Sequence, residues 1–414
     1  MLFFWVAEVR PFKGVFYNQD KVELGDVVTL PYDVITDEKM REYARLSEKS
    51  FIHLILPDGA GDEKYRNSAR LLGRWLEEKT LLEDEEECMY AYEEEYEIGG
   101  EKKVQRGIVC LVKVEPFEKQ VILPHEEIYG GPLEDRYKLL KATETDLEMI
   151  MGIYSDPAKV TSRILKDLGE PVIDLKHADN IRHRIWRIRD GDAINEFMNY
   201  MNCEKIIIAD GHHRYTTALK YHVTDNGHGK PYMLIWLLNM DGDLNVMPTH
   251  RLISHVERPL ENIEDDLKRY FEMEKPGSRE ELMQRLRETE PQHTFGFYMK
   301  DRFMFLKLKD NDETRKFLDM NGKRHWKDLD VNILHTIVIN KVLGLPEDTK
   351  HIQFIKDADK LFEQVDEGKY RIGLLLNATK LEQVKKIAGS GHRMPQKSTY
   401  FYPKPLSGLI LRRH

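Results

Sequence analysis

The chain has 414 residues, 41% apolar and 33% charged, with 19 Tyr and 16 Phe; this excludes a disordered chain and is length enough for two or three domains. A formal net charge of −9 speaks against a general affinity for nucleic acid, which rests on clustered Lys and Arg neutralising phosphates. Cys88, Cys110 and Cys203 are dispersed, giving neither a disulfide framework nor a thiolate zinc site, and no run approaches the roughly 18 apolar residues of a membrane span.

The opening MLFFWV is too short for the apolar region of a secretory signal, so the expected location is the cytoplasm. In the first eighty residues VVTLPYDVI and FIHLIL read as strands, the first breaking at Pro31, and EKYRNSARLLGRWLEEKTLL reads as an amphipathic helix. From 87 to 115 two alternating runs, MYAYEEEYEI and KKVQRGIVCLVKV, flank Gly99 and Gly100 as a β-hairpin does. The acidic runs Glu83 to Glu87 and Glu93 to Glu95 read as a solvated face.

Downstream, LEDRYKLLKATETDLEMIMGIY predicts a helix. RHRIWRI, KIIIAD, YMLIWLLNM and VMPTHRLISHV supply strands around the helix HRYTTALKYHV. The alternation returns in IQFIKD, DADKLFEQV, YRIGLLLN and LEQVKKIAG, and MPQKSTYFYPKPLSG closes it with Pro and Gly. The fold class is therefore mixed α+β and α/β. Weakly marked edges near 120 and 250 give three segments: 1–120, an N-terminal α/β domain with the hairpin; 121–250, a central core; and 251–414, a C-terminal α/β domain.

The densest chemistry is IIIADGHHRY, residues 206 to 215. A buried strand ends at Asp210, Gly211 lets the backbone turn sharply, and a helix follows with apolar Tyr215, Ala218 and Leu219 in helical spacing. Backbone N–H groups at such a helix start attract anions, and open α/β sheets bind ligands at these strand ends. Arg214 adds a forked cation for phosphate or carboxylate. Asp210 suits a general base or a magnesium ligand, and His212 and His213 titrate near neutrality. The competing structural reading is an Asp cap with surface histidines. A minor one is a metal site of Asp210, a box histidine and His250.

Further polar clusters are candidates for the same pocket. LPHEE offers His125 and Glu126 after an apolar strand; EDRYKLL brings Asp135 and Arg136 to a helix start; PTHR places Thr249, His250 and Arg251 at a strand edge. Lys397, Ser398 and Thr399 join a cation to two hydroxyls, a phosphate-friendly set without the preceding glycines of a P-loop. Asp33 sits in the PYDVI turn, and RHRIWRI reads equally as a basic edge strand or a binding strip.

Together, PYDVI, LPHEE with DRYKLLKAT, RHRIW, IIIADGHHRYTTAL, MPTHRLI, LDVNILH and MPQKSTYFYPK follow the order typical of a bacterial and archaeal family of unknown function, family 1015, often labelled SpoOJ- or ParB-related. The DGHHR box resembles the phosphate box of the ParB and sulfiredoxin superfamily, which includes partition proteins, sulfiredoxins and free-serine kinases. That resemblance implies a ParB/sulfiredoxin-like core in which Gly211, His212, His213 and Arg214 embrace nucleotide phosphates. His212 stands where sulfiredoxins need cysteine, so sulfinic acid reduction is not expected, and the sequence shows no helix-turn-helix.

The leading expectation is a nucleotide-dependent phosphotransferase or phosphohydrolase acting on a small hydroxyl metabolite, free serine or phosphoserine through the resemblance. ATP or ADP with Mg2+ would be the cofactors. Asp210, His213, Glu126 and His125 would carry the chemistry. Gly211, His212 and Arg214, with Arg251, Lys397, Ser398 and Thr399, would hold phosphate, and Asp33, Arg136 and His250 would meet substrate. A nucleotide-sensing switch without metabolite chemistry is the alternative, and a nucleotide-free metal-dependent hydrolase the third. The partners expected are nucleotide and a small molecule, with no membrane and no nucleic acid; a homo-oligomer is compatible with all three.

Overall fold

The computed structural model describes residues 6–128, 133–224, 231–290, 292–319, 329–346 and 350–414. The fold is mixed α+β with several sheets. Two compact units form: residues 1–124, 128–245 and 403–414 in the first, and 125–127 with 246–402 in the second.

The first unit is built on a nine-stranded mixed sheet. Its strands in chain order are β1 (Val9–Arg10), β2 (Met89–Ile98), β3 (Glu101–Lys113), β4 (Ile122–Pro124), β5 (Ile150–Tyr154), β6 (Ile173–Lys176), β7 (Arg182–Ile188), β8 (Ile206–Asp210) and β9 (Tyr232–Asn239). The spatial order is β4-β8-β5-β9-β3-β2-β7-β6, with β1 on β3. Parallel pairs β4/β8 and β5/β9 alternate with antiparallel neighbours. All five residues of β8 are buried, which explains its unbroken apolar run: it is paired along both edges.

The expected hairpin is β2 and β3, turned by Gly99 and Gly100 at φ +61° and +81°. The expected helix is α1 (Glu63–Glu77), which buries Tyr65, Ser68, Leu72 and Trp75 along one stripe. The helices α2 (Leu133–Thr143) and α3 (Gly191–Met201) follow. Asp190 caps α3 through the amides of Asp192 and Ala193, and Phe197 enters a core with Ile108, Cys110, Ile206, Ile235 and Leu237. Next comes α4 (His212–Thr224), which packs on α2.

The second unit holds a six-stranded antiparallel sheet, adding β10 (His250–Ile253), β11 (Phe271–Glu274), β12 (Thr294–Met299), β13 (Arg302–Leu308), β14 (Ile352–Ile355) and β15 (Ile372–Leu376) in the order β11-β13-β12-β15-β10-β14. Its core gathers Leu252, Leu282, Phe305, Leu361, Phe362 and Leu375. DADKLFEQV and LEQVKKIAG form the helices Ala358–Asp366 and Leu381–Gly389.

Several sequence expectations are corrected. FIHLIL contains a short helix, Ile52–Ile55, with Ile52, Leu54 and Ile55 buried; a brief apolar run carries no period to separate strand from helix. VVTLPYDVI yields a turn of 3-10 helix at Tyr32–Val34, and only Thr29 bridges another segment. The helix begun by LEDRYKLLKAT stops at Thr143, Glu144 turns at φ +47°, and IMGIY is β5.

RHRIWRI is β7, an interior strand paired with both β2 and β6. The supposed solvated face is partly interior, since Glu93 and Glu94 are buried. Arg106 and Arg184 contact Glu93. Among the described residues Glu94 has only neutral hydrogen-bond donors, Tyr92 at 3.0 Å and Gln105 at 2.5 Å. Burial raises its pKa to about 7 against the lowering by those donors.

Candidate functional site: a strand-to-helix turn and a second polar cluster

The box lies where the sequence places it. β8 bulges against β5, pairing Ile208 with Gly152 and then Asp210 with Met151, and the bulge re-aims the strand end. Gly211 follows at φ +90°, where a Cβ would lie 2.6 Å from Cγ2 of Ile150. Only glycine fits there. Helix α4 starts at His212, and its first regular bond runs from the Tyr215 amide to the Gly211 carbonyl at 2.9 Å; amides earlier in a first turn have no carbonyl one turn back within the helix. Buried Tyr215 fixes the helix: its hydroxyl accepts from the Glu115 amide at 2.8 Å and donates to the Glu115 carbonyl at 2.7 Å.

Asp210 is a charge centre. One carboxylate oxygen accepts from Arg214 at 2.7 Å and the other contacts the ammonium of Lys404, all three side chains being almost wholly buried. The fork expected to meet phosphate is thus turned inward, because Arg214 also donates to the Met149 carbonyl. Burial alone would lower its pKa, but Glu148, Asp210 and Asp33 together hold it above the usual arginine value.

Around this pair the first unit collects two more predicted residues. Asp33 belongs to the Tyr32–Val34 turn, and Arg136 lies on the Tyr32 ring, 4.3 Å from its centroid, and donates to the Ile55 carbonyl. Glu148 fastens the turn by accepting from the Tyr32 amide at 3.1 Å and the Ser407 hydroxyl at 2.7 Å. His212 is buried and His213 half-buried.

Sequence reasoning missed Lys404, Glu148 and Tyr32. The Pro-Lys-Pro of 403–405 is the one local hint, since two prolines hold the backbone around a lysine.

Arg136, Glu148, Arg214 and Thr217 share a cavity of about 50 Å³, room for a few waters and not for a nucleoside. The larger depression in this unit, about 780 Å³ beside Phe16, Asn18, Glu85 and Arg187, includes none of the predicted site residues.

The remaining predicted residues gather in the second unit. The Glu126 carboxylate accepts from the amides of Lys397, Ser398 and Thr399 and from the Thr399 hydroxyl, and buried His125 lies 2.7 Å from that hydroxyl. Arg251, fully buried, donates to His335 and to the carbonyls of Thr249 and Lys397; burial brings its pKa down to about 9 against the opposing pull of Glu126. His250 is a core histidine on β10 whose Nδ1 accepts from the Leu376 amide at 3.4 Å, and burial lowers its pKa to about 3, so it stays neutral.

Asp210 does not fit a magnesium ligand in this arrangement, because both its oxygens are taken by cations. Among the described residues no three His, Cys, Asp or Glu side chains come together as a metal set, and no helix is long and apolar enough to cross a membrane.

The chain belongs to a family described as a protein of unknown function, DUF1015, whose model matches residues 9–332. Comparison with curated protein sequences gives no match. Among solved structures the chain is similar to a conserved hypothetical protein from Pyrococcus furiosus, at 11% identity and TM-score 0.38 over 73% of this chain and 93% of that one. A free serine kinase in complex with ADP matches at 11% identity and TM-score 0.40, over 74% and 91%. SbnI from Staphylococcus aureus matches at 10% and 0.37, over 72% and 85%.

Proposed function

We propose that this chain is a nucleotide-dependent phosphotransferase or phosphohydrolase for a small hydroxyl metabolite, and that it seats phosphate at the start of α4. The observation that carries the reading is the strand-bulge-Gly211-helix turn, with its first-turn amides and with Arg214 and Lys404 converging on Asp210. The helix terminus offers N–H groups and the positive end of a dipole. Around it Asp33, Asp135, Asp210 and Glu148 balance Lys64, Arg136, Arg214 and Lys404 in formal charge, so anion binding rests on the amides rather than on a cationic surplus.

The same balance suggests a mechanism. An arriving phosphate draws the Lys404 ammonium away from Asp210, and the freed carboxylate oxygen accepts the proton of the substrate hydroxyl as its oxygen attacks the terminal phosphorus and the nucleotide leaves one phosphate shorter, as diphosphate from ATP or monophosphate from ADP. Arg214 keeps Asp210 oriented throughout, and in this reading His213, on the first turn, carries a proton. Magnesium, if bound, would supply charge neutralisation on the nucleotide phosphates, and no residue of the box is assigned to hold it. Free serine or phosphoserine as substrate follows from the likeness of the DGHHR box to that of free-serine kinases in the ParB and sulfiredoxin superfamily.

Phosphorus NMR of ATP or ADP with serine or phosphoserine tests the reading. Turnover should appear with one pairing, and Lys404→Met and Asp210→Asn should each abolish most of it while circular dichroism stays unchanged. Turnover that survives both substitutions sinks the assignment, and nucleotide binding without turnover on any pairing favours a nucleotide-sensing switch.

A further inference from the structure

The second unit contains a preformed anion seat that already holds an anion. Lys397 adopts φ +57°, a left-handed conformation unfavourable for a side-chain-bearing residue and retained where surroundings demand it. Its effect is to aim successive amides at one point. Lys397 N donates to Oε2 of Glu126 at 3.1 Å, and the amides of Ser398 and Thr399 both donate to Oε1 at 3.0 Å. Such nests of consecutive N–H groups bind phosphates in many proteins.

The Thr399 hydroxyl gives its proton to the same Oε1 at 3.0 Å, so it accepts from Nε2 of His125, which fixes that nitrogen as the protonated one. Contacts that do not involve Glu126 support the loop: Thr379 donates to the Ser398 carbonyl at 2.9 Å and the Ser398 hydroxyl to the Pro395 carbonyl at 2.6 Å.

A second observation points to an anion. Arg251 lies beneath the loop with no solvent exposure and, among the described residues, no carboxylate within hydrogen-bond distance; its partners there are an imidazole and two carbonyls, one of them that of Lys397. A buried guanidinium needs negative charge nearby, and Glu126 is the acid that opposes the loss of its proton. Beside Arg251, Thr249 Oγ1 and His335 Nδ1 are buried with no hydrogen-bond partner among the described residues.

We propose that the loop 397–399 is a seat for the phosphate group of a ligand, and that Glu126 is a tethered carboxylate that fills it until phosphate displaces it. A phosphate has three acceptor oxygens for the three amides and the hydroxyl, and its charge of about −1.5 to −2 at neutral pH compensates Arg251 more fully than one carboxylate does. The site lies within the second unit and stands apart from the reading of the DGHHR box.

The probe is inorganic phosphate titrated calorimetrically into the full chain. Glu126→Gln removes the competing charge and should tighten phosphate binding about tenfold or more, as a difference of roughly 1.4 kcal/mol requires. Adding Thr399→Val should cancel most of that gain, and phosphate should move the amide resonances of Lys397, Ser398 and Thr399 whether or not it touches the turn at Gly211, so failure of the box reading leaves this result standing. A folded Glu126→Gln that binds phosphate no tighter than the parent overturns the proposal, as does a gain indifferent to Thr399→Val. If Glu126→Gln does not fold, phosphate added to the unmodified chain must shift the amide resonances of Lys397, Ser398 and Thr399; unmoved resonances overturn it equally.

Discussion

Asp210 and Glu126 are both acids at the end of a short strand segment, and the two units keep them in different ways. Asp210 is neutralised by side-chain cations, one on the next helical turn and one 194 residues away. Glu126 is held by backbone amides from a single loop, with its cation, Arg251, set behind that loop rather than on the carboxylate. Side-chain cations can swing from one anion to another, so the first arrangement suits a group that must be released. Amides are fixed in the backbone, so the second suits a seat that outlasts its occupant.

The largest effect expected from breaking this contrast is in the first unit. Asp210→Asn leaves Arg214 and Lys404 buried without their carboxylate and should lower stability by about 3–5 kcal/mol in urea denaturation. Glu126→Gln keeps an acceptor for the amides and should cost only about 1–2 kcal/mol. Equal losses would erase the distinction.

Glu94 provides a third case, a buried carboxyl held by neutral donors. Its pKa is raised to about 7 in the fold from an ordinary 4.5, so the folded state holds the proton more tightly. Its contribution is therefore full below about pH 4.5 and is lost as pH rises to 7, a change of about 3 kcal/mol. His183, which burial lowers to about 3, acts in the opposite sense below pH 6.5 but is common to both proteins when the chain is compared with Glu94→Gln. The stability difference between the two should change by that amount across pH 4.5 to 7, and a constant difference would refute the neutral-donor account.

Gly211→Ala sharpens the comparison at the turn itself. The positive φ and the 2.6 Å approach to Ile150 should cost about 2–3 kcal/mol in a denaturant titration. An effect as small as that of Glu126→Gln is expected from Thr399→Val, which removes one donor to Glu126 and one partner of His125. It should cost about 1–2 kcal/mol in the same titration.

The box was legible because its signals are adjacent: β-branched residues that need a buried strand, one glycine that permits the turn, and helical spacing after it. The hairpin was legible for the same reason. What escaped the sequence was pairing over distance. Glu126 and the 397–399 loop were each visible as polar clusters, but nothing local says that one fills the other across 271 residues. Lys404 carried only its flanking prolines as a local hint. Glu93 and Glu94 misled because a run of acids reads as surface; their burial depends on Arg106, Arg184, Tyr92 and Gln105, which come from other positions in the sheet. The helix at Ile52–Ile55 misled because four residues are too few to show a period.

The return of residues 403–414 to the first unit, after the chain has built 246–402 of the second, fixes an order of events during synthesis. A ribosome that has released β8, Gly211 and α4 has produced an acid with one of its two cations, and the other emerges only once the intervening unit has been translated. The nascent first unit must therefore wait, with Asp210 half-compensated, for a lysine encoded almost two hundred codons downstream.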